Sequence, residues 1–126
     1  MEKIILTDGG RYVEGFIHEK LDCSVRAVAL ARRMPYKDAH TLLAAAGRKP
    51  RHKFKFVYYI NTQDWARQLT ALPRQTVRKF LLTHDDGNYI VRVTGHVFAV
   101  CGGIALDTID QTDSRAMVRQ VWEVKF

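Results

Sequence analysis

Gly95-His96-Val97-Phe98-Ala99-Val100-Cys101-Gly102-Gly103-Ile104-Ala105-Leu106-Asp107-Thr108 is the stretch that decides the fold. Two apolar runs flank paired glycines, the chemistry of a tight hairpin turn. The spacing predicts strands over 96–101 and 104–108, folded back on each other at Gly102-Gly103. Antiparallel pairing returns Asp107 to the start of the first strand, beside His96.

Working outward, His84-Asp85-Asp86-Gly87-Asn88 reads as a turn. Tyr89, Val91 and Val93 alternate with Ile90, Arg92 and Thr94, as a strand requires. Val121 to Phe126 supplies a fourth strand. The connections are too short for parallel crossovers, so an antiparallel sheet is expected. The first two thirds of the chain read mostly helical. Asp22 offers an N-cap, and Cys23 opens a run, Val25 to Ala31, that is apolar on nearly every side; such a helix belongs at the centre of a molecule. Arg32 and Arg33 suit its C-terminus and Pro35 stops it. A second helix is expected from Tyr36 to Ala46, closed by Gly47. Phe54 to Ile60 reads as extended, followed by a short helix through Trp65 and Leu69. Pro73 reads as the first residue of another helix reaching Leu82. Lys3 to Phe16 reads as loop or short strand with a turn at Asp8-Gly9-Gly10. Helices first and strands last predict an α+β class, as one domain over 1–126, with N-terminal helices packed on a C-terminal antiparallel β-sheet.

The composition is that of a globular protein, 47% hydrophobic and 26% charged. No signal peptide or membrane span is read, and with two cysteines, Cys23 and Cys101, free thiols in a reducing cytoplasm are expected; a Cys23–Cys101 disulfide is the alternative. Twenty basic against 13 acidic residues give a formal net charge of +7, which suits a nucleic-acid or acidic protein partner but equally an ordinary basic surface.

The chemistry concentrates at three residues. At a helix N-terminus, unpaired N–H groups and the helix dipole favour thiolate at Cys23, the nucleophilic form. His96 opens an apolar strand, and the returning Asp107 can bond its ring and stabilise the imidazolium. Singly, each has a structural explanation: a small buried hydrophobe, a core histidine, a strand-end turn. Together they form a nucleophile, a base and its orienter.

The segments Glu19-Lys20-Leu21-Asp22-Cys23-Ser24-Val25-Arg26-Ala27, Tyr36-Lys37-Asp38-Ala39-His40 and Gly95-His96-Val97-Phe98-Ala99-Val100 resemble small papain-like cysteine-peptidase proteins, often encoded by bacteriophages. The resemblance runs over roughly 14–108. It implies a papain-like fold with Cys23 as nucleophile, His96 as base and Asp107 as orienter. It departs at the glutamine that papain-like peptidases place shortly before the cysteine as an oxyanion donor: 16–22 holds no Gln or Asn. The Cys23 N–H supplies one donor, and His18 or Lys20 is the candidate for the second.

Arg48-Lys49-Pro50-Arg51-His52-Lys53-Phe54-Lys55-Phe56 is a basic run ending in aromatics. Arg48, Lys49, Arg51 and Lys53 form a candidate phosphate-binding patch with Phe54 or Tyr58 for stacking; a solvated loop with its aromatics turned inward is the plainer account. No metal motif, phosphate loop or dinucleotide fingerprint is present, so no cofactor is expected. Trp65 and Trp122 read as core. The expectation is a cysteine-dependent hydrolase of peptidase, deamidase or isopeptidase type, cytoplasmic (host cytoplasm if phage-encoded). A protein or peptide is its expected substrate, a host protein among the candidates. The alternative is the same fold with an idle triad, binding a host protein or nucleic acid through its basic surface. A small basic nucleic-acid binder of unrelated fold is a third reading.

Overall fold

The computed structural model describes residues 4–16, 19–50, 52–110 and 115–125. In chain order the elements are β1 (Ile4–Leu6), α1 (Cys23–Ala31), α2 (Tyr36–Ala45), α3 (Phe56–Ile60), β2 (Ala66–Gln68), α4 (Val77–Thr83), β3 (Asn88–Val93), β4 (His96–Cys101), β5 (Ile104–Asp107) and β6 (Gln120–Val124). The class is mixed α+β, with four helices and one six-stranded sheet of order β1-β5-β4-β3-β6-β2.

The hairpin forms as its glycines predict, pairing Ala99 with Leu106, Val100 with Ala105 and Cys101 with Ile104. Gly102 and Gly103 both have positive φ, and a Cβ on Gly103 would lie 2.9 Å from the Asp85 backbone, so only glycine lets the turn pack under the α4–β3 loop.

The sheet is buried on both sides. Ile90, Val97, Ala99, Trp122 and Val124 point into one apolar cluster with α1, α2 and α3. Tyr89, Val91, Val93, Phe98, Val100 and Val121 point into a second cluster with α4. Period-two alternation thus feeds two cores, making three layers. Ala27, Val28, Ala29 and Ala31 let α1 lie close on β4, as its all-round apolar character predicts.

Several expectations are corrected. The sheet is not wholly antiparallel: β1 pairs parallel with β5, Leu6 opposite Asp107. The long excursion through the helices makes that parallel return feasible. The short strand offered as one option within Lys3 to Phe16 forms as β1, while β2 joins the sheet from a segment read as helical. The segment 56–60 is helical, not extended, because its buried side chains, Phe56, Tyr59 and Ile60, recur at spacings of three and four. Ala66–Gln68 is a strand on β6 instead of a helix. The last helix starts after Thr76, whose side chain accepts from Lys79 N–H at 3.2 Å, and not at Pro73. Backbone bonds from Val77 N–H to Ala116 and from Val118 N–H to Gln75 hold the preceding residues extended.

Two helix ends matter for the site. Gly47, at φ +104°, closes α2: its N–H bonds Ala44 O, the Arg48 N–H bonds Leu43 O, and the chain turns Arg48 back into the molecule. At the other end of α2, the N–H groups of Tyr36 and Lys37 are capped by the distant carboxylate of Glu14 at 3.1 and 2.8 Å.

Candidate active site

Cys23, His96 and Asp107 meet where the start of α1 abuts the start of β4. Continued by one pair, the β4–β5 register sets Asp107 across from Phe98, within diagonal reach of His96. His96 Nε2 lies 2.6 Å from Asp107 Oδ2. An ionised carboxylate only accepts, so Nε2 carries a proton and Nδ1 is the ring nitrogen left for the Cys23 sulfur, which lines the same cavity. The two sensitive groups are largely enclosed: the His96 side chain is 19% exposed and Asp107 1%.

The electrostatics favour separated charge. Burial works against ionisation at Cys23, but the His96 hydrogen bond, the Val97 N–H and the positive charges of His96 and Arg26 outweigh it, and its pKa falls below the ordinary thiol value. Burial alone would depress His96; the hydrogen bonds and charges of Asp107 and Cys23 reverse that and raise its pKa to about 9. Burial opposes charge on Asp107 as well, but its bond to His96, the His96 charge, the Thr108 N–H and Arg26 hold it below the usual carboxylate range. Below about pH 9 the imidazole is therefore charged, and the thiolate has a cation beside it.

Arg26 is a contributor that sequence reasoning passed over. One turn after Cys23, it donates from Nη1 to Asp107 Oδ1 at 2.9 Å and to Thr108 Oγ1 at 3.1 Å, and from Nε to Asp22 Oδ1 at 3.2 Å. Its signal was there: a lone arginine inside an otherwise apolar helix has to be paired when buried. Asp22 takes the N-cap position, but its side chain makes no capping bond; it accepts instead from Arg26, Arg11 and the Tyr36 hydroxyl. The first-turn N–H groups of α1 receive no bond from it, which leaves the Cys23 N–H available to a developing oxyanion.

The loop before Cys23 has its own anchors. Glu19 accepts from Arg48 Nη2 at 3.0 Å and from His40 Nε2 at 2.9 Å, and the same Arg48 nitrogen reaches the carbonyls of Lys20 and Leu21. Burial opposes its ionisation, but the bonds from His40 and Arg48 prevail and lower the Glu19 pKa. Arg48 is thus 4% exposed and a tether of this loop, not part of a surface patch; the turn after α2 drives it inward. Leu21 follows in a left-handed conformation, φ 53°, with its side chain 60% exposed.

A cavity of about 710 Å³ opens at the sulfur. Leu21, Phe54, Phe56, Val57, Tyr58 and Val97 give it apolar walls around Cys23 and His96. The helix of α3 forms one side, fixed to β6 by Trp122 Nε1 donating to Asn61 Oδ1 at 2.8 Å and by Phe56 set edge-on to the Trp122 ring.

Of the remaining expected residues, Lys20 is exposed and off the cavity wall. Lys49 is exposed, and Lys53 is exposed and lines the cavity. His18 and Arg51 lie outside the described residues. Cys23 and Cys101 are free; Cys101 sits near Leu30 O, on the order of 10 Å along α1 from Cys23. Trp65 and Trp122 are buried, with the Arg32 guanidinium 4.6 Å from the Trp65 ring. Among the described residues, no group of three or more His, Cys, Asp and Glu is placed to hold a metal ion, and no helix is long and apolar enough to cross a membrane. No protein-family model matches this chain, and no curated protein or solved structure matches it.

Proposed function

We propose that this protein is a cysteine-dependent hydrolase of papain-like kind, acting on an amide bond. The observation that carries the reading is the series of thiol, imidazole and buried carboxylate at the mouth of the apolar cavity, with the thiol pKa lowered and that of the imidazole raised. A helix-borne cysteine facing a strand-borne histidine and aspartate, in that chain order, supports the papain-like comparison.

In the reactive form the sulfur has given its proton to His96, the direction in which both pKa shifts push. The thiolate attacks the substrate carbonyl carbon, and the Cys23 N–H at the positive end of α1 bonds the resulting oxyanion. As the carbon–nitrogen bond breaks, His96 Nδ1 gives its proton to the leaving amine, leaving an acyl thioester on Cys23. Water then attacks that carbonyl while His96 takes one of its protons. The carbon–sulfur bond breaks, a carboxylic acid leaves, and the thiolate–imidazolium pair is restored. Asp107 keeps Nε2 protonated and the ring aimed throughout, and Arg26 keeps Asp107 in place.

The test is the rate of Cys23 alkylation by iodoacetamide across pH, in the parent protein and in His96→Ala. A working site reacts rapidly well below pH 8 and loses that fast reaction in the variant. An ordinary thiol in both proteins would overturn the proposal and leave the idle-triad binding module.

A further inference from the structure

The cavity wall carries a charge pattern that the hydrolytic machinery does not use. Lys53 and Lys55 stand exposed on one side, separated by the half-buried Phe54. Arg92 stands on the β3 side, next to Val97 in the β3–β4 register, its Nε held by Gln120 Oε1 at 2.6 Å. Among the described residues that line the cavity there is no Asp or Glu, and no described carboxylate pairs with either lysine. The interior between these cations is apolar, and two of its side chains remain largely in water, Leu21 at 60% and Tyr58 at 79% exposure. Exposed apolar groups beside unpaired cations describe a surface waiting for an amphipathic, anionic occupant.

We infer that the site takes an acidic peptide segment: a bulky apolar side chain fills the cavity between Phe54, Phe56, Val57 and Val97, and carboxylates on flanking residues meet Lys53, Lys55 and Arg92. The inference rests on the hydrolase reading only for where the scissile carbonyl lies; the binding itself does not need the nucleophile. A polynucleotide fits less well. Its backbone asks for a continuous track of cations, whereas Arg48 is buried out of the basic run and the three cations at the cavity, Lys53, Lys55 and Arg92, surround an apolar depression.

The experiment uses the full chain carrying Cys23→Ala, so that binding is read without turnover. Fluorescein-labelled octapeptides with a central Leu-Phe pair are compared with Glu, Gln or Lys in the flanking positions, by anisotropy. The Glu peptide binds about tenfold tighter than the Gln peptide, the size expected of two or three screened surface pairs, and the Lys peptide is weakest. The preference shrinks between about 0.05 and about 0.3 M salt, as exposed charges require. Lys53→Glu with Lys55→Glu, both at exposed positions, reverses the order, and replacing Leu-Phe by Ser-Ser weakens the Glu peptide about tenfold or more.

Equal affinity for the three peptides, a preference that survives the lysine reversals, or tighter binding of an oligothymidylate than of the Glu peptide overturns the inference. Cys23 alkylation in the parent protein separates the two proposals. A reactive thiol with no charge preference sinks the substrate class alone. An ordinary thiol with a clear Glu preference sinks the hydrolase and leaves the acidic-peptide site standing.

Discussion

Among the described residues, two histidines hold a buried carboxylate through Nε2, and each carboxylate also takes an arginine. His96 meets Asp107 at 2.6 Å with Arg26 on the other oxygen; His40 meets Glu19 at 2.9 Å with Arg48 on the other oxygen. What differs is the far side of each ring. His96 faces a sulfur and a cavity. His40 is packed among aromatics, 4.6 Å from the Phe16 ring and 6.1 Å from Tyr36. The same three groups therefore do two jobs. Around His40 they tether the loop that leads into α1, and around His96 they hold a proton where a thiol can lose it. A histidine–carboxylate–arginine cluster is a clamp by default, and the nucleophile and the open volume make the difference.

The sharpest way to break this contrast is to remove each imidazole. His96→Ala lowers kcat/KM on a cleaved peptide by about 10³-fold or more, whereas His40→Ala leaves it within about threefold. Comparable losses in both would mean that the second cluster shapes the chemistry and is no mere tether.

Removing each arginine tests the shared part. Arg26→Leu and Arg48→Leu each remove the guanidinium from a buried carboxylate and leave it with its histidine, and each should cost about 3–5 kcal/mol by chemical denaturation. Only Arg26→Leu should move the pH dependence of Cys23 alkylation upward, because the Arg26 charge helps to lower that thiol's pKa. An identical shift from Arg48→Leu would erase the distinction.

The pH dependence follows from the signs. The thiolate forms as pH rises through the lowered Cys23 pKa, and the imidazolium is lost as pH rises through about 9, so the proposed hydrolysis should show a bell-shaped kcat/KM. Asp107 supports the upper limb, so Asp107→Asn moves it to lower pH. The same linkage appears in stability. The His96 pKa is raised above the ordinary histidine value of 6.5, so its contribution is complete below that pH and is lost as pH rises towards about 9. The fall in Tm over that window should be smaller in His96→Gln; an unchanged fall would remove the ion pair from the account.

The smallest effect concerns the loop between the clusters. Leu21 holds a left-handed backbone that glycine adopts without strain, so Leu21→Gly should raise stability by up to about 1 kcal/mol in a thermal melt. A loss instead would show that the exposed Leu21 side chain contributes packing that its exposure conceals.

The legible parts of this chain were those with local chemistry. Gly102-Gly103 and the flanking alternation specify the β4–β5 hairpin, and the hairpin brings Asp107 to His96. A polar residue followed by an apolar run marked the start of α1 and put Cys23 there. The illegible parts were set by distant partners. Phe56-Val57-Tyr58-Tyr59-Ile60 has strand-forming residues, and packing against Trp122 and Trp65 overrides that preference. A short strand was one option for Lys3 to Phe16, but three residues give no sign of pairing, and the parallel partner of Ile4–Leu6 lies a hundred residues away. Asp22 looks like a cap, but its carboxylate is claimed by three donors that no local pattern reveals. Arg48 stood in a charge run that reads as solvent-facing, until Gly47 turned it inward.

The parallel seam between β1 and β5 has a temporal consequence. The Thr7 N–H bonds the Asp107 carbonyl at 2.8 Å, so the earliest described strand braces the residue on which the imidazole depends. A growing chain emits that strand and the sulfur long before it emits the imidazole and carboxylate. The thiol therefore spends most of synthesis without the imidazole and carboxylate beside it, and the lowered pKa waits until β4 and β5 have formed and β1 has closed on β5.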